Sequence, residues 1–310
     1  MLLNIVALVA GALILAVAAD RFVLAAARIS LALRISAVVV GAVVIGFGTS
    51  TPELVTGILA ATQGSLDIAV GSVVGSNVAN LTLIAGAAAA IAPITIASRT
   101  LRREAPLAVL ATAVLAVLML DGLTRGEAAV LAGAFVVVMG LMLLGARAPD
   151  EPLTDEVEHF AHSRAVGREG LWAAVALLGV VGGSQGLVWG ASGIATEVGI
   201  SDAVVGLTIV AVGTSLPELV TAIQAARRGE PDLIVGNLLG SSVFNALLIV
   251  AIAAFIAPGS LDTVEIGPTI AMVAVTVLAG AAMATGRRLG RAEGIALVAG
   301  YCALVPLVLI

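Results

Sequence analysis

The sequence predicts an all-α membrane protein of about ten transmembrane helices in two inverted five-helix repeats, and three observations carry that prediction. Apolar residues make up 60% of the 310 positions and charged residues only 11%, with a mean hydropathy of +1.17. That composition lies outside the globular range and within the membrane class. The charged residues divide the chain into ten apolar segments, each near the roughly 20 residues that a spanning helix needs. A stretch of 39 residues also recurs 165 positions later with 21 identical columns.

The segments lie near residues 2–24, 35–61, 68–94, 104–121, 127–146, 170–194, 203–226, 233–257, 266–286 and 292–310. The first, MLLNIVALVAGALILAVAAD, could pass for a signal peptide, but no Lys or Arg precedes Arg21. A basic leading region is therefore missing, and a retained first helix is expected. Abundant glycine and alanine suit a bundle whose helices approach closely, so the 35 glycines do not indicate disorder. All 15 basic residues are arginine. With the N-terminus outside, fourteen of them face the cytoplasm and only Arg125 faces out, in keeping with the positive-inside rule. This places both termini outside and the central linker in the cytoplasm.

The chain divides into a first half at 1–146, a linker at 147–169 and a second half at 170–310. The linker contains APDEPLTDEVEHFAHSR, which reads as a solvated charge run; a weak divalent or pH-sensing site at His159 and His162 is the alternative. Cys302 is the single cysteine, which excludes an intrachain disulfide and suggests plain packing in the last segment. The arginines spread along one membrane face, so no nucleic-acid surface is implied.

Residues 46–84 align with 211–249 without a gap. Because each half holds an odd number of helices, the second copy must enter the membrane from the opposite side. Inverted repeats of this kind build transporters whose substrate sits at the midplane between the halves.

Within the repeats lie GTSTPELVT at 48–56 and GTSLPELVT at 213–221, each with one carboxylate at mid-helix, Glu53 and Glu218. A charge near the bilayer centre costs about 2.5–3.5 kcal/mol on insertion scales, so such acids are rare and usually functional. A buried pair with arginine or a protonated packing carboxyl would be the structural alternatives, but no arginine lies at comparable depth. Pro52 and Pro217 lack an N–H and free backbone oxygens around Gly48 and Thr49, and around Gly213 and Thr214. In a membrane, something else must satisfy those oxygens, and a cation could do so.

Helical spacing puts Gly46, Thr49, Ser50 and Glu53 on one face, and Ala211, Thr214, Ser215 and Glu218 on another. Two further stripes with a spacing of four join them: Ser72, Ser76 and Asn80, then Asn237, Ser241 and Asn245. Taken alone, such stripes also suit ordinary interhelical hydrogen bonds. A set of oxygen ligands without His or Cys suits hard ions such as Ca²⁺ and Na⁺ rather than zinc or copper. Two carboxylates balance one Ca²⁺ or two Na⁺, so the two ions can compete for the same oxygens.

The paired GTS-x-PE motifs, each followed by G-S-x-x-x-N, resemble the α-repeats of sodium/calcium exchangers of prokaryotic type in the cation/Ca²⁺ antiporter superfamily. The resemblance implies a Ca²⁺ site formed by Glu53, Glu218 and the carbonyls of Thr49 and Thr214. It implies sodium sites drawing on Gly46, Ser50 and Ser76 on one side and Ala211, Ser215 and Ser241 on the other, with Asn80 and Asn245 lining the centre. Many exchangers, including potassium-dependent ones, carry aspartate where this chain has Asn245, which disfavours potassium dependence. Proton/Ca²⁺ exchange in the same superfamily is the alternative, although its members typically show a GNxxE-type motif in place of GTS-x-PE. A cation channel is a further alternative. An intramembrane hydrolase is disfavoured, because the sequence shows no metal-ligand histidine, no nucleophile–base pair and no mid-helix carboxylate outside the proposed cage. No enzyme activity, cofactor or obligatory oligomer is expected. Ca²⁺ and Na⁺ are the expected substrates and the lipid bilayer the expected partner.

Overall fold

The computed structural model describes residues 1–95, 98–144, 165–200, 211–261, 266–286 and 288–308. Its described elements, in chain order, are α1 (Leu2–Leu33), α2 (Ala37–Thr49), α3 (Thr51–Thr62), α4 (Leu66–Ile91), β1 (Ile94–Thr95), α5 (Ser98–Leu118), α6 (Arg125–Leu144), α7 (Ala165–Glu197), α8 (Ala211–Thr214), α9 (Leu216–Arg228), α10 (Pro231–Ile256), α11 (Ile266–Gly286), β2 (Arg288–Leu289) and α12 (Arg291–Val308). Six of these helices are individually long and apolar enough to cross a membrane, and α2 with α3 forms a seventh, bent span. Each of the ten predicted segments contains helix. The candidate site at His159 and His162, and the start of the 203–226 segment, lie outside the described residues.

Two helix pairs fix the architecture through close backbone approach. In the first, α1 lies along α7, and a Cβ on Gly183 would stand 2.6 Å from the backbone nitrogen of Leu15. In the second, α2 lies against α10, where a Cβ on Gly240 would come within 2.4 Å of the Ala42 Cα. Neither contact leaves room for a side chain, which explains part of the glycine content. The α10 helix is the core element, with every residue from Leu233 to Val243 buried. Around it, large apolar side chains such as Leu13, Val17, Val136, Leu178 and Ile270 face outward. This surface matches an apolar solvent, and together with the long apolar helices it describes an integral membrane protein.

Three stretches depart from α-helical spacing. Gly41–Gly46 in α2, Asn80–Ile84 in α4 and Phe244–Ile249 in α10 are π-helical turns, a feature frequent at functional sites. Phe47, Phe135 and Phe244 form an aromatic cluster joining α2, α6 and α10, with ring centroids 4.6–6.1 Å apart. At one end of the bundle, β1 pairs antiparallel with β2 and ties the end of α4 to the start of α12.

Two expectations need revision here. Helix α7 begins at Ala165, so the last residues of the predicted linker are helical. Within them, Glu169 is only 1% exposed and accepts hydrogen bonds from Arg21 at 2.6 Å and Arg28 at 3.0 Å, because two guanidinium groups on α1 compensate its burial. Cys302 is exposed on the apolar exterior of α12 rather than packed inside.

Candidate ion-binding site

The chain breaks where the prolines require it. Ser50 leaves helical geometry at φ −79° and ψ 8°, between α2 and α3, and the two helices meet at a bend of 46°. Ser215 does the same between α8 and α9, at φ −90° and ψ 6°. Proline at the second position of α3 and of α9 is well placed, since an N–H there would lack an intrahelical partner anyway. The breaks put Glu53 and Glu218 in the first turns of α3 and α9, where the helix dipole favours negative charge.

Both carboxylates are buried, with Glu53 2% and Glu218 0% exposed. The Ser50 hydroxyl donates to Glu218 Oε1 at 2.8 Å, and the Ser215 hydroxyl donates to Glu53 Oε1 at 3.1 Å. Ser50 and Ser215 are equivalent positions of the repeat, as are Glu53 and Glu218. Each half therefore holds the other half's carboxylate by the same bond. The Asn77 side-chain nitrogen likewise donates to the carbonyl of its own equivalent, Ser242, at 3.3 Å, so the repeats meet like-to-like between α4 and α10.

The second oxygen of each glutamate is buried without a hydrogen-bond partner, as are both side-chain polar atoms of Asn80 and of Asn245. Buried polar groups left unpaired carry a cost of about 1–3 kcal/mol each. The two free carboxylate oxygens have the chemistry of a hard-cation ligand, and each asparagine adds an unpaired amide oxygen alongside an unpaired NH₂ group. Asn80 opens its π-helical turn and Asn245 sits second in its own.

The remaining predicted residues surround these groups. Ser76 lies with its hydroxyl 3.5 Å from that of Ser215, which extends a chain to Glu53. Ser241 donates to the Gly46 carbonyl at 3.2 Å, and Thr49 is fully buried with its hydroxyl 3.0 Å from the Ile45 carbonyl. Thr214 is buried, and Ala211 opens α8. Asn237 belongs to a supporting layer: its side-chain oxygen lies 3.3 Å from the Thr49 hydroxyl and its nitrogen 3.4 Å from that of Thr221. Ser72, the equivalent of Asn237, is only half-buried and is not joined to the cage by a hydrogen bond.

Two residues that spacing did not single out complete the breaks. The carbonyls left by Pro52 and Pro217 belong to Gly48 and Gly213, and hydroxyls satisfy both of them. Thr51 donates to Gly48 at 2.7 Å, and Ser184 on α7 donates to Gly213 at 3.1 Å. Protein hydroxyls therefore supply a donor to each of these oxygens, so the breaks do not by themselves require a cation. The signal lay in the one column where the motifs differ, since Thr51 becomes Leu216 and the second break must borrow a hydroxyl from elsewhere.

A model of the sodium/calcium exchanger protein family matches residues 3–144 and 170–310 of this chain. The chain belongs to the sodium/calcium exchanger family. Among family relatives, the CaxA protein of Alkalimonas amylolytica is 37% identical over 309 residues, covering 97% of each chain. The sodium/calcium exchanger MaX1 of Methanosarcina acetivorans is 28% identical over 342 residues, again covering 97% of each. A solved structure of the sodium-calcium exchanger NCX_Mj, soaked with Na⁺ and Sr²⁺, superposes with a TM-score of 0.88 at 28% identity and covers 98% of both chains. In this exchanger-family chain the family match runs through both repeats and omits the whole predicted linker.

Proposed function

We propose that the chain is a secondary antiporter that exchanges Na⁺ for Ca²⁺ across the membrane by alternating access. Its ten spans form two inverted five-helix halves, with both termini outside. One observation carries this reading: Glu53 and Glu218 each take one hydroxyl from the opposite half and leave one buried oxygen without a donor, and the side chains of Asn80 and Asn245 are likewise buried without partners. In this proposal those oxygens, with the Thr49 and Thr214 carbonyls, receive Ca²⁺. Gly46, Ser50 and Ser76, and Ala211, Ser215 and Ser241, supply the flanking sodium positions.

The cage carries two negative charges whichever ion it holds. Loading one Ca²⁺ leaves it neutral, whereas three Na⁺ leave it at +1, so a 3:1 cycle moves one net charge. Such a charge crossing 100 mV corresponds to about 2.3 kcal/mol. The names of MaX1 and NCX_Mj support Na⁺ and Ca²⁺ as the substrates. The test is Ca²⁺ uptake into proteoliposomes in which a Na⁺, K⁺ or proton gradient is the only variable. Uptake should require the sodium gradient and quicken under an inside-positive potential. Uptake driven by the proton gradient alone would replace this reading with proton/Ca²⁺ exchange.

A further inference from the structure

A groove on the outer surface between α1 and α7 has two chemically different ends. Its walls are Leu13 and Val17 from α1 and Val175 and Gly179 from α7, around a cavity of about 470 Å³. Arg21 and Trp172 close one end, with the guanidinium carbon 5.1 Å from the indole centroid. Nη2 of Arg21 donates to Glu169, but Nη1 is buried with no acceptor among the described residues. Arg28 donates to the same carboxylate.

Depth along the helix gives this end a meaning. Nineteen residues separate Leu2 from Arg21, which at about 1.5 Å per residue is roughly 28 Å. That is close to the roughly 30 Å thickness of a bilayer's hydrocarbon core. Arg21 therefore lies at headgroup level when Leu2 lies at the opposite interface, and Trp172 beside it occupies the depth where tryptophan is enriched. The groove runs from this level toward the membrane centre.

We propose that the α1–α7 groove binds an anionic phospholipid of the leaflet at the Arg21 end. The phosphate accepts from the Arg21 guanidinium, whose Nη1 has no acceptor among the described residues, and an acyl chain lies along Leu13, Val17 and Val175. The Arg21 guanidinium favours an anionic headgroup over a zwitterionic one. Neither α1 nor α7 contributes a proposed ion ligand, so the lipid would bind apart from the ion cage.

The two tryptophans provide the test. Trp189→Phe leaves Trp172 as the sole reporter beside the groove. Trp172→Phe leaves Trp189, 17 residues away on α7 and so about 25 Å distant, toward the other interface. Each protein is reconstituted in phosphatidylcholine containing a small fraction of brominated phosphatidylglycerol or brominated phosphatidylcholine, and fluorescence quenching by the two is compared. About fivefold enrichment of the anionic lipid is expected at Trp172, the effect of one arginine at an anionic surface, with a ratio near one at Trp189. Arg21→Gln should abolish the preference. Arg168→Gln, which removes an equal charge from an exposed position of α7, should preserve it. Retained Ca²⁺ binding in each variant reports folding. Equal quenching by both lipids at Trp172, an undiminished preference in Arg21→Gln, or the same loss in Arg168→Gln would overturn the proposal.

Discussion

Replacing Glu218 by glutamine exploits the way its two oxygens are used. Oε1 is held by the Ser50 hydroxyl at 2.8 Å, and Oε2 has no donor. The Ser50 hydroxyl needs an acceptor, so the amide should turn its oxygen toward Ser50 and its nitrogen into the place of Oε2. A cation then loses a full negative charge and meets two N–H groups instead of a lone pair. Removing one partner from a buried charge interaction costs about 3–5 kcal/mol. At 1.4 kcal/mol per factor of ten, Ca²⁺ affinity should fall by roughly two to four powers of ten. Sodium carries half the charge and should lose about half as much on the logarithmic scale. Calorimetric titration of purified protein with each ion measures both, with thermal unfolding as the control for structure. A Ca²⁺ Kd within tenfold of the parent, or an equal logarithmic loss for the two ions, would refute the reasoning. Glu53→Gln should behave alike, since Ser215 holds Glu53 by the equivalent bond.

Other perturbations separate the parts of the cage. Ser76→Ala and Ser241→Ala should weaken Na⁺ binding by about tenfold, the worth of one hydroxyl interaction, and weaken Ca²⁺ less; equal losses in equilibrium binding would contradict separate sodium positions. Thr51→Val leaves the Gly48 carbonyl without its donor and should lower the Tm by about 2–6 °C, whereas Thr51→Ser should restore it; an unchanged Tm in the valine variant would show that the bond is dispensable. Asn245→Asp adds a third carboxylate to the cage, so Ca²⁺ affinity should fall more steeply on acidification than in the parent. Superimposable pH profiles would place residue 245 away from the ion.

The parts of this site that follow from local periodicity were legible in the sequence. The offset of 165 residues picked out both buried carboxylates, and spacing by four put Ser76, Asn80, Ser241 and Asn245 on polar stripes of two other helices. Proline chemistry located both breaks, at Ser50 and Ser215. Less legible was anything that depends on how the halves meet. The exchange of Ser50 and Ser215 between opposite carboxylates is a contact across more than 160 positions, and no local pattern encodes its partner. The π-helical turns insert a residue without altering an apolar run, so the turns holding Asn80 and Asn245 left no trace in composition. Ser184 illustrates the same limit, since its role follows from the helix that packs beside Gly213. Glu169 read as part of a solvated charge run because its neighbours are charged, while its partners Arg21 and Arg28 lie on another helix.

In the proposed exchanger, Na⁺ and Ca²⁺ occupy one shared cage built on Glu53 and Glu218. The most direct test is equilibrium Ca²⁺ binding to the purified protein at a series of Na⁺ concentrations. The proposed exchange of three Na⁺ for one Ca²⁺ predicts that the logarithm of the apparent Ca²⁺ Kd rises with the logarithm of Na⁺ concentration, at a slope approaching three. A slope of two would contradict the electrogenic cycle, and an apparent Kd indifferent to sodium would contradict the shared cage itself.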